Sequence, residues 1–254
     1  MSNYLEDKDL LFLKNCSNED LKTLADLLVF DNEGKKRWNE KLSSKKVYME
    51  NYPSNIKNAV DDIILELQCY GADTIASAVR EIFGKHPGVP YKEILKDVCD
   101  KKSVRYKKDA STERIEYLLI QDIIEDAVYK MSDDDILSIA DELGVTISAN
   151  EEREKINDEV LKKSTSPALY NKMTEIVYSG VFSGSFAGVA GATTAQVAMI
   201  ATKIALPKFI SLAVPIINSF MWGWLVKDLS GPAYRITVPA VIMIINFRQR
   251  LSLS

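Results

Sequence analysis

The side chains best suited to chemistry are few in this sequence, and they stand far apart. His86 is the single histidine, so neither a histidine-based triad nor a multi-histidine metal site can be built from this chain. It falls in the turn sequence Lys85-His86-Pro87-Gly88, where a surface imidazole is the ordinary outcome. Asp61, Asp62 and Glu66 share a helix face and have the oxygen ligands a divalent cation takes, but no second acidic cluster stands ready to complete the shell. Asp133, Asp134 and Asp135 lack the alternation and central glycine of a calcium loop, so capping and solvation explain them. Neither G-x-x-x-x-G-K-[ST] nor G-x-G-x-x-G occurs ahead of a helix. No metal and no cofactor are expected.

Two further groups of residues carry charge in a distinctive setting. Lys101, Lys102, Arg105, Lys107 and Lys108 surround Tyr106. Such a patch suits RNA or lipid headgroups, but its acidic surroundings favour a solvated loop, and no nucleic-acid partner is expected. Near the C-terminus, Tyr234, Arg235, Thr237 and Pro239 lie beside a long apolar run. An arginine among apolar neighbours must find a partner or reach water. A carboxylate converging on Arg235 beside Tyr234 would make an enzyme's site. The three cysteines, Cys16, Cys69 and Cys99, form no C-x-x-C motif and read as free, mostly buried thiols of a reducing compartment.

The elements that must position these residues are helical. Ser17 precedes Asn18-Glu19-Asp20 and a stripe of Leu21, Leu24, Ala25, Leu27 and Leu28. Ser17 is placed to cap this helix, with Asp20 as the acid of a capping box. The segment should stop in the turn cluster Asp31-Asn32-Glu33-Gly34. Val60, Ile63, Ile64 and Leu67 form the face of a second helix expected to end at Gly71, and Ile75, Val79 and Ile82 continue the pattern to Gly84. Pro90 suits a first helical turn, followed by the stripe Tyr91, Ile94, Leu95 and Val98. The longest amphipathic run is Ile115 to Val128. Ser132 to Leu143 repeats the layout of Ser17 to Leu28, which is either a duplicated helical unit or convergent capping chemistry.

Charge divides the chain. Through Lys172 there are 26 basic and 34 acidic residues; from Met173 onward there are 6 and 2. Residues 1–165 are read as an acidic, amphipathic-helical region and 166–254 as an apolar helical one, with Ser164-Thr165-Ser166-Pro167 as the boundary. The fold class expected is all-α. Ile176 to Thr202, Phe209 to Val226 and Ile236 to Phe247 carry no charge. Pro239 is expected at the first position of a tail helix that ends in Arg248 and Arg250. Gly180, Gly184 and Gly188, with Gly191 close by, recur at a spacing that lines one helix face and lets another backbone approach closely, as in a glycine zipper. Residues 176–226 would then be covered by other helices, by lipid or by a second subunit.

Both ends of the chain also look familiar. The opening from Tyr4 to Ser17, the stretch Glu66-Leu67-Gln68-Cys69-Tyr70-Gly71-Ala72-Asp73-Thr74-Ile75-Ala76 and the tail Leu229 to Val241 resemble the YaaW-like family of uncharacterised bacterial proteins. The resemblance runs over nearly the full length and implies no activity. Its tail motif marks Tyr234, Arg235, Thr237 and Pro239 as the residues to test.

The leading reading is a non-enzymatic helical interaction or assembly protein, membrane-associated through 176–226, with a protein partner or a second copy of itself. The charged N-terminus, free of a secretory stretch, places it in the cytoplasm, peripheral or integral at the inner membrane. An enzyme with a carboxylate/Arg site near Tyr234 and Arg235 is the alternative, beside a pore-forming or membrane-stress protein.

Overall fold

A computed structural model describes residues 6–31, 33–74, 88–129 and 233–252. Among them the fold is all-α: α1 (Asn18–Val29), α2 (Lys46–Asn51), α3 (Val60–Thr74), α4 (Tyr91–Lys101), α5 (Thr112–Tyr129) and α6 (Tyr234–Ser252). Short 3-10 turns at Leu11–Asn15, Leu42–Ser44 and Ile56–Ala59 join them. A single bridge between Phe30 and Lys36 is the sole β pairing among the described residues.

The helix signals in the sequence act as capping chemistry predicts. The Ser17 hydroxyl accepts from the Asp20 amide and the Asp20 carboxylate accepts from the Ser17 amide, so two orphan donors of α1 are met reciprocally. The turn after α1 closes on Gly34 at φ +74°, a conformation that glycine adopts without strain. Tyr91, Ile94, Leu95 and Val98 of α4 are all buried. Ile115, Leu119, Ile123 and Ile124 supply the buried stripe of α5.

Gly71 does not end α3, which runs on to Thr74. It serves close packing instead. A β-carbon there would overlap the Ile94 side chain of α4, and one at Gly88 would stand 2.5 Å from the Gln68 β-carbon. These two positions let the segment leading into α4 lie against α3, where the Val89 amide donates to the Gln68 carbonyl at 3.2 Å. Pro90 is the residue just before α4, and one orphan donor of its first turn is met from far away in sequence: the Tyr91 amide donates to Asp7 Oδ2 at 2.6 Å.

The chain forms two compact units, one of Met1–Glu116 with Leu225–Ser254 and one of Tyr117–Trp224. In the first, α6 contacts α1, α3, α4 and the turn Leu11–Asn15. Its residues from Ile236 to Phe247 are buried without interruption, so every face of this helix is covered. Pro239 lies inside α6 rather than at its first position. The donor it lacks would have met the carbonyl of Arg235, an exposed residue. Of the second unit, the described part is Tyr117–Tyr129.

The expectation of a membrane-spanning, glycine-zipper segment finds no support in the structure. Among the described residues no helix is long and apolar enough to cross a membrane. The uncharged run of the tail is sheathed by amphipathic helices of the same chain. The zipper residues Gly180, Gly184, Gly188 and Gly191, the runs over 176–226, His86 and the repeat at 132–143 lie outside the described residues.

Candidate functional site

The most chemically unusual place in the first unit is a buried cluster of Glu116, Tyr91 and Arg248. Thr112, Glu116, Leu119 and Ile123 follow helical spacing along α5, so Glu116 sits within the apolar stripe and its side chain is fully buried. Tyr91, the first residue of α4, donates its hydroxyl to Glu116 Oε1 at 2.9 Å. Arg248, near the end of α6, donates Nε to the same oxygen at 3.3 Å and lies 3.2 Å from Oε2. Oε2 itself accepts no hydrogen bond in this buried position. The ionic approach is close, but its direction does not serve as a bond.

The N-terminal segment closes the cluster. The Arg248 Nη2 group donates to the Asp9 carbonyl at 2.7 Å, and its guanidinium carbon stands 4.4 Å from the centre of the Phe12 ring and 6.0 Å from that of Tyr91. Thr112 donates its hydroxyl to Asp9 Oδ2 at 2.6 Å, and Asp7 accepts from the amides of Tyr91 and Asp9. Residues 7–12 thus join the starts of α4 and α5 to the end of α6.

Electrostatics follow from burial. Desolvation pushes the Glu116 carboxyl up to about 7, against the opposing pull of the Arg248 charge and the Tyr91 hydrogen bond. Burial, and then the neighbouring Glu116 charge, raise the Tyr91 phenol well above its usual range, so it stays a donor. Asp7 is raised by burial too, although two amides bond to it. A carboxyl that exchanges its proton near neutrality beside a fixed donor and a cation has the properties of a general acid or base.

The residues expected from the sequence fall elsewhere. Tyr234 donates its hydroxyl to Asp97 Oδ1 at 3.1 Å, and the Lys101 ammonium lies 5.3 Å from its ring centre. Arg235 is exposed. Thr237 is buried and donates its hydroxyl to the Ala233 carbonyl at 3.3 Å, and Pro239 is buried in the helix. They occupy the start of α6, roughly 20 Å along the helix axis from Arg248. Glu66, grouped above with Asp61 and Asp62, is buried and accepts from the Lys41 amide at 2.9 Å, whereas Asp61 faces Lys14 at 3.2 Å. Among the described residues no group of acidic, histidine or cysteine side chains is arranged to hold a metal ion. Cys16 and Cys99 are buried and Cys69 is half-buried, none of them in a disulfide.

A family model described as a domain of unknown function, DUF3944, matches residues 4–38, the stretch that contains Asp7, Asp9 and Phe12. A UPF0174 protein of Helicobacter pylori (strain J99) is 32% identical over 246 residues, covering 96% of this chain and 92% of that protein. The UPF0174 protein YaaW of Escherichia coli K12 is 29% identical over 254 residues, covering 98% of this chain and 97% of that one. A second UPF0174 protein, from Helicobacter pylori (strain ATCC 700392 / 26695), is 32% identical over 193 residues, with 73% and 86% covered. No solved structure matches the chain. The chain belongs to the UPF0174 family of bacterial proteins, the family of YaaW.

Proposed function

We propose that this UPF0174-family chain is an enzyme of the acid–base kind, in which Glu116 takes and returns a proton. Tyr91 holds one oxygen of that carboxyl, and Arg248 steadies its anionic form. A single observation carries the reading: a carboxyl with no exposed surface is raised to about 7 and keeps one oxygen without a hydrogen bond. Near neutral pH such a group is populated in both protonation states, the condition under which one side chain serves as acid and base. Arg248 is the member that reaches solvent, with 17% of its side chain exposed. It is the side from which a small anionic reactant would approach.

The test is a screen of the purified chain against ester, amide and phosphoester probes from about pH 6 to 8. Turnover of a probe is expected to show a limb near pH 7 and to fall about a hundredfold or more in Glu116→Gln, with the helical circular dichroism retained. No turnover of any probe, or a Glu116→Gln chain as active as the parent, would sink the proposal. A second reading, an interaction protein, is favoured by a separate observation that does not involve Glu116: the bare indole of Trp38.

A further inference from the structure

Arg248 is the cation of the buried cluster, and its partners do not use it up. A guanidinium has five N–H donors, two of them on each Nη. Nε is given to Glu116 and one N–H of Nη2 to the Asp9 carbonyl. The remaining three, including both on Nη1, meet no acceptor among the described residues. The Phe12 ring, 4.4 Å from the central carbon, packs against the guanidinium plane and fixes it, while 17% of the side chain reaches solvent. An edge of N–H groups on a fixed plane is what an oxyanion recognises, since its oxygens accept such donors in pairs.

The charge balance around this edge changes with one proton. The N-terminal segment brings Asp7 and Asp9 to it. Asp7 accepts from the Tyr91 and Asp9 amides, and the Asp9 carboxylate from the Thr112 hydroxyl. Neither carboxylate is bonded to the guanidinium. On α5, Glu113 is exposed, within electrostatic range of both Arg248 and Lys8. From α4 comes Tyr91, whose phenol stays protonated, with the Cys99 thiol near it. Among the described residues, Glu116 is the carboxylate that bonds the cation. Once Glu116 takes a proton, the guanidinium keeps its full charge in a largely buried place and has neutral acceptors alone.

We infer that Arg248 is the receptor for a small oxyanion, which replaces the Glu116 carboxylate as the counter-charge of the guanidinium, so that anion and proton are taken up together. The inference rests on the reading of Glu116 as an acid and base, and it names the class of reactant: an acid bound in ionised form beside a carboxyl that holds a proton. Two anions on one desolvated cation repel each other, so an ionised Glu116 and a bound oxyanion exclude one another. With either one in place, a single negative charge faces Arg248.

Acetate and sulfate are suitable probes, because both stay ionised from about pH 6 to 8 and they separate a planar from a tetrahedral oxyanion. In the full chain, the Arg248 Cζ resonance should move to saturation with at least one of them, and not with sodium chloride at equal ionic strength. The Glu116 carboxyl titrates at about 7, and its protonated form is the one that binds. The apparent dissociation constant should therefore rise about tenfold between pH 6 and pH 8. Calorimetry in two buffers of different ionisation enthalpy should show about one proton taken up per anion at pH 8. Glu116→Gln should bind the same anion at pH 8 as tightly as the parent does at pH 6, without proton uptake. No saturable movement with either probe overturns the inference, as does equal affinity at the two pH values. So does a Glu116→Gln chain that keeps the parent's pH dependence. The acid–base reading fails separately: anion binding of the expected kind, with none of the ester, amide and phosphoester probes turned over, sinks the catalysis and leaves the anion site standing.

Discussion

Glu116 makes the stability of this protein depend on pH in a definite direction. Its carboxyl sits at 4.5 in the unfolded chain and at about 7 in the folded one, so in that window the folded form binds the extra proton. Stability from this group is complete below about pH 4.5 and is lost as pH rises through about 7, by about 3 kcal/mol in total. Urea titrations should therefore show a lower midpoint at pH 8 than at pH 5.5, and Glu116→Gln should flatten that difference. Arg248 is tested by the same logic. Arg248→Met leaves a buried carboxylate without its cation, which should cost about 3–5 kcal/mol at pH 8 and much less at pH 5, where the carboxyl is neutral. The double variant Glu116→Leu/Arg248→Met should recover most of that loss at pH 8, and failure to recover would show that packing rather than charge is what Arg248 supplies. Part of this site was legible in the sequence. Glu116 is the carboxylate standing within the stripe Ile115, Leu119, Ile123, and Arg248 is the first charge after twelve uncharged residues. Their pairing was not legible, because 132 positions separate them. Asp7 and Asp9 gave no signal, since an acid in a charged, irregular segment reads as a solvated one until a helix N-terminus is placed on it.

At the scale of elements, local chemistry was legible and tertiary chemistry was not. The capping box of α1 follows from four residues, Ser17 to Asp20, whose bonds close among themselves. Ser17→Ala should cost about 1 kcal/mol, read as a lower thermal midpoint with unchanged circular dichroism. Gly71 misled, because a glycine after an apolar stripe is the usual mark of a helix end, and only the approach of Ile94 explains its presence inside α3. Two effects compete in Gly71→Ala. Helix propensity favours the alanine by about 1 kcal/mol, whereas forcing a methyl into the Ile94 side chain costs about 1–3 kcal/mol. The net expectation is destabilisation, and a second change, Ile94→Val, should reduce it. A more stable Gly71→Ala protein would mean that α3 and α4 separate easily. Pro239 illustrates the same limit: its ring suits the start of a helix, but the five residues before it extend α6, with Ile236, Thr237 and Val238 buried.

The first compact unit is discontinuous, with its centre supplied by the last described helix of the chain. Eight large apolar side chains of α6 are buried: Ile236, Val238, Val241, Ile242, Met243, Ile244, Ile245 and Phe247. At roughly 2 kcal/mol each their burial is comparable to the whole net stability of an ordinary domain, about 5–15 kcal/mol. The helices before residue 117 therefore have amphipathic faces but no complete core until α6 arrives. An all-round apolar helix demands cover, and sequence alone does not say that for the tail this cover comes from helices encoded more than a hundred residues earlier. A chain ended before Tyr234 should lose cooperative unfolding. Its far-ultraviolet signal should be largely retained, its near-ultraviolet signal lost, and the dye ANS should bind to the uncovered faces of α1, α3 and α4. Adding a synthetic 234–252 peptide should restore the near-ultraviolet signal, and the same peptide carrying Arg248→Met should restore it less well at pH 8 than at pH 5, because the Glu116 carboxyl would then be covered without its cation. A truncated chain that unfolds as sharply and at the same midpoint as the whole would show that the N-terminal helices hold a core of their own, and α6 would then be an attachment to the unit and not its centre.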